Sequence, residues 1–162
     1  MAVASDGHGV PRTFSLPLSP TLAFVFAAPG IELPTAKARA ALPASVSHAE
    51  ATRAIGRTAA LVRALETGDP ELLAIGFADT MHVPYRLPMI PGGVEAVAAG
   101  MAAGAFGVTV SGAGSGLLAV MPPARAADVA AAMAVAFAQA AGPDGVVTFT
   151  VTPDTEGARI EV

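Results

Sequence analysis

Short apolar runs bounded by Pro, Gly or Asp divide this chain into its predicted strands. Such runs occupy residues 21–28, 106–110, 117–121, 146–152 and 158–162. Their length and their bounding turn residues are typical of buried strands. Near the start of the chain the apolar residues alternate instead, at Phe14, Leu16 and Leu18. This alternation predicts an extended segment within the first 20 residues.

Helices are indicated between these runs by apolar spacing and by cap residues. Ser47 and Glu50 form a capping-box pattern, in which the Ser hydroxyl accepts from the third amide and the Glu reaches back to the cap amide. Ile55, Ala59, Val62 and Leu65 follow at helical spacing, and Gly68 ends that helix. Further helices are predicted over residues 34–42, 70–79, 93–103 and 124–141, with a proline-punctuated loop over 82–93.

The order of these elements predicts the fold class. Only six residues separate the strands 106–110 and 117–121. Strands joined by so short a connection pair antiparallel. We therefore expect an α+β fold, a two-layer sandwich in which helices cover one face of an antiparallel sheet.

Composition narrows the function classes. The 162 residues suit one domain, with 53% apolar and 14% charged residues and a net charge of −4. A single lysine, Lys37, argues against nucleic-acid binding. No cysteine occurs, and His8, His48 and His82 lack ligand spacing, so no metal site is predicted. The apolar stretches are too short or too rich in Gly to span a membrane, and no signal peptide is visible, which predicts a cytoplasmic protein.

The loop SGAGSG, residues 111–116, is the most informative stretch. Its glycines suit a hairpin turn with positive φ, and its amides could equally form an anion-binding nest. It is not a dinucleotide-binding loop. Leu117 stands where the third glycine would be, and a strand follows where a helix should begin.

Three segments, in order and at matching spacing, resemble one enzyme family. GVTVSGAGSG, residues 107–116, resembles the third conserved motif of the GHMP small-molecule kinases. PGIELPTAKARAALP, residues 29–43, and HVPYRLPMIPG, residues 82–92, resemble homoserine kinases in particular. The resemblance extends from about Phe14 to the C-terminus.

The resemblance implies an activity and a set of site residues. The activity is ATP- and Mg²⁺-dependent phosphorylation of the L-homoserine hydroxyl, a step in threonine biosynthesis. Arg39 corresponds to a catalytic arginine near the reacting phosphate, and Arg86 to one that binds the homoserine carboxylate. Ser111, Gly112, Ala113 and Gly114 correspond to the loop beside the nucleotide phosphates. Residues 21–162 would be the ferredoxin-like C-terminal domain, and residues 1–20 an extended remnant of an N-terminal domain.

The chain departs from the family pattern in both composition and extent. Ser115 and Gly116 replace the usual Pro-Thr, and Val83 replaces a common acidic residue. The main phosphate loop of the family, Pro-x-x-x-Gly-Leu-Gly-Ser-Ser-Ala, and its acidic Mg²⁺ ligand occur nowhere in these residues. The resemblance therefore predicts a C-terminal portion that is inactive alone and has an N-terminal half or a second copy as partner.

Two other functions are compatible with the same residues. One is another GHMP-type kinase, acting on a mevalonate-like or sugar substrate; the Arg86 motif argues against it. The other is a non-catalytic amino-acid-binding regulatory module, which would bind its ligand without nucleotide. Fold alone does not separate these functions, because function depends on the site.

Overall fold

The computed structural model of the chain describes residues 2–5 and 12–154. The strands are β1 (Ala2–Ser5), β2 (Arg12–Ser15), β3 (Ala23–Ala28), β4 (Gly107–Val110), β5 (Leu117–Met121) and β6 (Val147–Val151). The helices are α1 (Thr35–Ala40), α2 (His48–Thr67), α3 (Pro70–Gly76), α4 (Val83–Arg86), α5 (Gly93–Ala102) and α6 (Ala126–Ala141). Short 3-10 turns at Leu87–Met89 and Pro123–Arg125 extend α4 and precede α6.

Four strands form one antiparallel sheet in the order β4-β5-β3-β6. Val25 in the central strand β3 lies opposite Ala119 of β5 and Thr150 of β6. The strands β4 and β5 pair antiparallel across the loop 111–116, as its length predicted. The α+β class with an antiparallel sheet is thereby confirmed. The strands β1 and β2 pair with each other in a separate two-stranded sheet.

The main core lies between the sheet and the helices α5 and α6. Alternate residues of β3 and β5 point to this side, where they meet α6 residues that are fully buried. The buried sheet residues are Val25, Ala27, Leu117, Ala119 and Met121, and the α6 residues facing them include Val129, Met133 and Phe137. This period-2 pattern follows from the pleat of the strands.

The opposite face of the sheet is also partly covered, which corrects the expectation of helices on one face only. Val120 of β5 packs in a second buried cluster with Ala64 of α2 and Leu73 of α3. Phe24 of β3 packs against the same cluster. The physical reason is that the intervening strand positions are apolar as well, so this second face is buried rather than left in water.

The helices of the structure differ from the predicted ones in several of their boundaries. The helix α3 ends at Gly76 rather than near residue 79, and the predicted loop 82–93 contains α4 and a 3-10 turn. Ser47 caps α2 by accepting from the Glu50 amide at 3.1 Å, as predicted. The Glu50 carboxylate turns to Thr80, Arg53 and Arg57 instead of the cap amide. The predicted strand 158–162 lies outside the described residues.

No helix within residues 2–5 and 12–154 is long and apolar enough to cross a membrane.

Candidate functional site

Three segments that are distant in sequence meet at one end of the sheet. They are the C-terminal end of α1, the helix α4 and the loop 111–116 between β4 and β5. The helix α1 begins after Pro34, whose ring favours the first turn, and buries Ala38 against the main core. The helix α4 has a proline in its first turn and carries Arg86 at its last position.

Arg86 joins these three segments through its guanidinium. Its Nη1 donates to the Gly112 carbonyl oxygen at 3.1 Å, and its Nε lies 3.4 Å from the Ala38 carbonyl oxygen. The side chain is half-buried. Its Nη2 makes no hydrogen bond with the described residues, so part of the guanidinium stays available to an anion.

The loop 111–116 is closed by two of its own backbone hydrogen bonds. The Ser111 amide donates to the Gly116 carbonyl at 2.8 Å, and the Gly114 amide donates to the Ser111 carbonyl at 3.1 Å. The amides of Gly112 and Ala113 donate to no carbonyl of the described residues. Gly112 has φ +59° and is exposed at the tip. Consecutive amides of this kind can bind an anion.

A polar cavity of about 220 Å³ opens beside Arg86 and the loop. Arg86 and Gly112 form one part of its wall, and the end of β4 forms another. The remaining lining residues are Asp79, His82, Val83, Thr109 and Val110. Its size suits a small polar metabolite, and it contains both a cation and an anion from the protein.

Asp79 holds the start of α4 in place. Its Oδ1 accepts from the amides of Met81 at 2.6 Å and His82 at 3.0 Å, and its Oδ2 lies 3.1 Å from the His82 Nδ1. The sequence pattern placed Asp79 at the end of the predicted helix 70–79 and did not indicate this role. The available signal was its position just before the proline-containing turn, where Asp commonly satisfies free amides.

A second polar cluster ties this segment to α2. Thr80 donates to Glu50, and Arg57 donates to both Glu50 at 3.1 Å and Thr80 at 2.6 Å. The pKa of the Glu50 carboxyl is lowered from its ordinary 4.5, chiefly by the hydrogen bond from Thr80. The hydrogen bond and charge of Arg53 and the charge of Arg57 add to this lowering, while lost hydration opposes it. Arg57 therefore links α2 to the segment that precedes α4.

The predicted site residues divide into two groups. Arg86 and Gly112 contact each other and line one cavity, and Ser111, Ala113 and Gly114 adjoin Gly112 in the loop without lining that cavity. Arg39 follows Ala38 in α1, is exposed, and makes no side-chain hydrogen bond or ion pair with the described residues. The roles of these residues in binding and catalysis stay predictions.

Comparison with protein families and known proteins gives consistent matches. Residues 61–139 match the family described as GHMP kinases C terminal. The homoserine kinase of Gloeobacter violaceus is 41% identical over 150 residues, which is 93% of this chain and 48% of that protein. The homoserine kinase of Moorella thermoacetica is 43% identical over 140 residues, covering 86% of this chain and 46% of that protein.

Two solved kinase structures resemble the fold of this chain. The homoserine kinase of Cytophaga hutchinsonii has a TM-score of 0.78 at 25% identity, covering 87% of this chain and 44% of that chain. Mevalonate kinase from L. major, in complex with R-mevalonate, has a TM-score of 0.60 at 18% identity. The match covers 94% of this chain and 49% of that chain, and it shows a shared fold alone.

These matches confirm the resemblance that the three motifs indicated. They also fix its extent, because the chain spans about half the length of the curated relatives it matches.

Proposed function

We propose that this chain is the C-terminal, substrate-side portion of a homoserine kinase that uses ATP. The observation that carries the proposal is the Arg86 guanidinium, held between the α1 carbonyl and the glycine loop at the wall of a small polar cavity. The sequence similarity to homoserine kinases supports the same assignment.

Arg86 suits the carboxylate of an amino acid. A guanidinium is planar and can donate two parallel hydrogen bonds to a carboxylate, which gives both affinity and orientation. Two backbone carbonyls fix the orientation of this group, so little side-chain entropy is left to lose when a ligand binds. We therefore assign Arg86 the homoserine carboxylate.

The loop Ser111–Gly114 is proposed to lie beside the nucleotide phosphates. The amides of Gly112 and Ala113 are the groups that would donate to phosphate oxygens. Arg39 is proposed to neutralise charge on the transferring phosphoryl group, as its exposed guanidinium at α1 permits. Ala38, the residue before Arg39, accepts a hydrogen bond from Arg86 through its carbonyl oxygen, so the two arginines lie on adjacent segments.

In the proposed reaction, the homoserine hydroxyl oxygen bonds to the terminal phosphorus of ATP while the bond to the bridging oxygen breaks. ADP leaves, and the hydroxyl proton is released. This chemistry depends on positioning and charge neutralisation rather than on covalent steps through the protein. Arg86 would position the homoserine that accepts the phosphoryl group. Arg39 and the loop amides would neutralise the negative charge on that group.

Mg²⁺ is implied by such a reaction, but the described residues do not suit it. No group of three or more His, Cys, Asp or Glu among them is arranged to hold a metal ion. We assign no step of this chain to Mg²⁺. The metal ligand and the main phosphate loop are expected in the other portion of the enzyme, so this chain alone is predicted to be inactive. A cytoplasmic location also stays a prediction.

The first test is L-homoserine binding to the purified chain, followed by NMR. Wild type should show saturable shifts, and Arg86→Ala should lose about tenfold or more in affinity, because a charge-assisted hydrogen bond contributes about 1.5–3 kcal/mol. Arg125→Ala is the matched control, since Arg125 is exposed and its only side-chain partner in the described part of the chain is Asp128. Homoserinol, which lacks the carboxylate, should not bind. Equal affinity in wild type and Arg86→Ala would contradict the assignment.

The second test is homoserine-stimulated ADP release with Mg-ATP. The chain alone should release none, and the N-terminal portion of the Gloeobacter violaceus relative, added in trans, should restore release. Release by the chain alone that disappears in Arg86→Ala would show a kinase without the main phosphate loop. Homoserine binding with no restored release, and with unchanged homoserine affinity in Gly112→Val, would instead indicate an amino-acid-binding module.

A further inference from the structure

A second cavity, of about 340 Å³, lies between α2 and the second face of the sheet. We call it the α2 cavity. Five large apolar side chains line it and are only partly buried: Phe24, Leu61, Leu65, Phe77 and Leu118. The packing of α2 on the sheet therefore leaves apolar surface open to a ligand. The volume lies within the range of about 300–1,000 Å³ that is usual for sites that bind small molecules.

Arg57 of α2 adds a charged group to the lining of this cavity. Its Nη1 donates to Glu50 and to Thr80. Its Nε and Nη2 have no hydrogen-bond partner in the described part of the chain, and no side-chain nitrogen there is buried without a partner. These two nitrogens are therefore accessible, and they can donate to an acceptor group of a ligand.

The charges around Arg57 favour an anion over an ammonium group. Glu50 pairs with both Arg53 and Arg57, so two guanidinium groups share one carboxylate. Asp79 also lines the cavity, but its oxygens accept from two backbone amides and lie beside the His82 ring. A carboxylate would gain charge-assisted hydrogen bonds from Arg57. An ammonium group would instead meet the positive charge of Arg57 and a carboxylate that is already engaged.

We propose that the α2 cavity binds a short aliphatic carboxylate. Arg57 donates hydrogen bonds to the carboxylate group, and the hydrocarbon chain covers the five apolar side chains of the lining. Removing these apolar surfaces from water supplies affinity, and the guanidinium supplies orientation. The proposal is independent of the kinase function proposed above.

The α2 cavity adjoins the cavity beside Arg86. Asp79, His82 and Thr109 line both of them. Arg57 is a lining residue of the α2 cavity alone, and Arg86 is a lining residue of the other cavity alone. A carboxylate can bind to either guanidinium, so separate substitutions of Arg57 and Arg86 are needed to tell the two sites apart.

The test is a titration of the full chain with hexanoate, followed by NMR. Wild type should show saturable shifts at the amides of Leu61, Phe77 and Leu118. Hexanol has a similar chain without the negative charge, and norleucine adds an ammonium group to hexanoate. Both should bind about tenfold more weakly than hexanoate, because hexanol forms no charge-assisted hydrogen bond and the ammonium group of norleucine is repelled by Arg57.

Arg57→Gln tests the role of the charge. It should weaken hexanoate binding by about tenfold. The affinity for hexanol should stay unchanged in this variant, which distinguishes a lost charge from a collapsed cavity. Arg63→Gln is the matched control, because Arg63 lies on the same helix and outside the α2 cavity. Arg86→Ala should also leave these hexanoate shifts unchanged.

Leu118 tests the location of the hydrocarbon chain. Leu118→Trp adds volume to the lining and should remove the hexanoate shifts, whereas Leu118→Ile, of similar volume to the wild-type residue, should retain them. Circular dichroism checks that both variants are folded. The Arg57 variants test the same site if the larger side chain prevents folding.

Three results would overturn the proposal. The first is the absence of saturable hexanoate shifts at the amides of the lining. The second is binding that is lost in Arg86→Ala and kept in Arg57→Gln, which would place the carboxylate in the neighbouring cavity. The third is binding of hexanol or norleucine as tight as that of hexanoate, which would show that the site does not select a simple carboxylate.

Discussion

At the residue scale, Arg86 shows how one side chain organises a site from distant parts of the chain. Its two backbone partners, Ala38 and Gly112, are 48 and 26 residues away in sequence. The motif around Arg86 was recognisable in the sequence. Its contacts were not, because a motif carries no information about which carbonyls lie within reach of a flexible side chain. Loss of Arg86 should therefore alter the conformation of the glycine loop as well as the proposed binding of homoserine.

A residue-scale prediction concerns Gly114 in the loop. Its φ of +102° is unfavourable for any residue with a Cβ, and a Cβ there would lie 3.0 Å from the Leu33 side chain. Gly114→Ala should therefore lower the free energy of unfolding by about 1–3 kcal/mol in urea denaturation. Gly56→Ala is the control, because no atom lies within 4 Å of its Cβ position in α2. It should raise stability by up to about 1 kcal/mol. Equal effects of the two substitutions would contradict this reasoning.

At the scale of elements, the polar cluster of Glu50, Arg57 and Thr80 fastens the segment before α4 to the first turn of α2. Asp79, adjacent to Thr80, then fixes the amides that begin α4. A surface cluster on α2 thus helps to set the position of Arg86 at the other end of α4. The sequence placed Glu50 in a capping box, since the local pattern contains no sign of Thr80, which is 30 residues away.

An element-scale prediction follows from the lowered pKa of Glu50. A carboxyl whose pKa is lower in the folded state than in the unfolded state stabilises the fold when the pH is above the unfolded pKa, here about 4.5. That stabilisation is lost as the pH falls through the lower pKa of the folded state. Glu50→Gln should lower the melting temperature at pH 7. Below pH 4.5 the melting temperatures of the variant and the wild type should approach each other. Melting curves from pH 3 to pH 7 would measure this. A constant difference between the two proteins at every pH would argue against it.

At the scale of the whole molecule, stability rests on the sheet face that packs against α5 and α6. Phe137, Met133 and Val129 of α6 are fully buried there against β3 and β5. The opposite face, with α2 and α3, has a smaller buried cluster. We therefore expect the α6 side of the molecule to dominate the free energy of unfolding.

A whole-molecule prediction compares two methionines. Met133 is fully buried, whereas Met101 at the end of α5 is 45% exposed. Met133→Ala should cost about 2–5 kcal/mol through lost burial and the cavity left behind. Met101→Ala should change stability by less than about 0.5 kcal/mol. Chemical denaturation of both variants checks this, and similar losses in the two would show that α6 is not the main support of the fold.

The sequence by itself determined the strands of the main sheet from 23 to 151, most of the helices and the antiparallel pairing of β4 with β5. These features depend on local periodicity, cap residues and the length of one loop, all of which are written along the chain. The sequence also identified the motif residues Arg86 and Ser111–Gly114, and the structure brings Arg86 into contact with this loop at Gly112. Their chemical roles await the binding experiments.

Only the tertiary structure decided which apolar side of α2 is buried, how α4 forms within a predicted loop, and which groups Arg86 and Glu50 bind. Ile55 and Leu65 both fall on the helical apolar pattern, yet one is exposed and the other packs on the sheet. Each of these outcomes depends on contacts between residues far apart in sequence. Local patterns show that a side chain can be buried or paired, but the partner is selected by the packing of the whole chain.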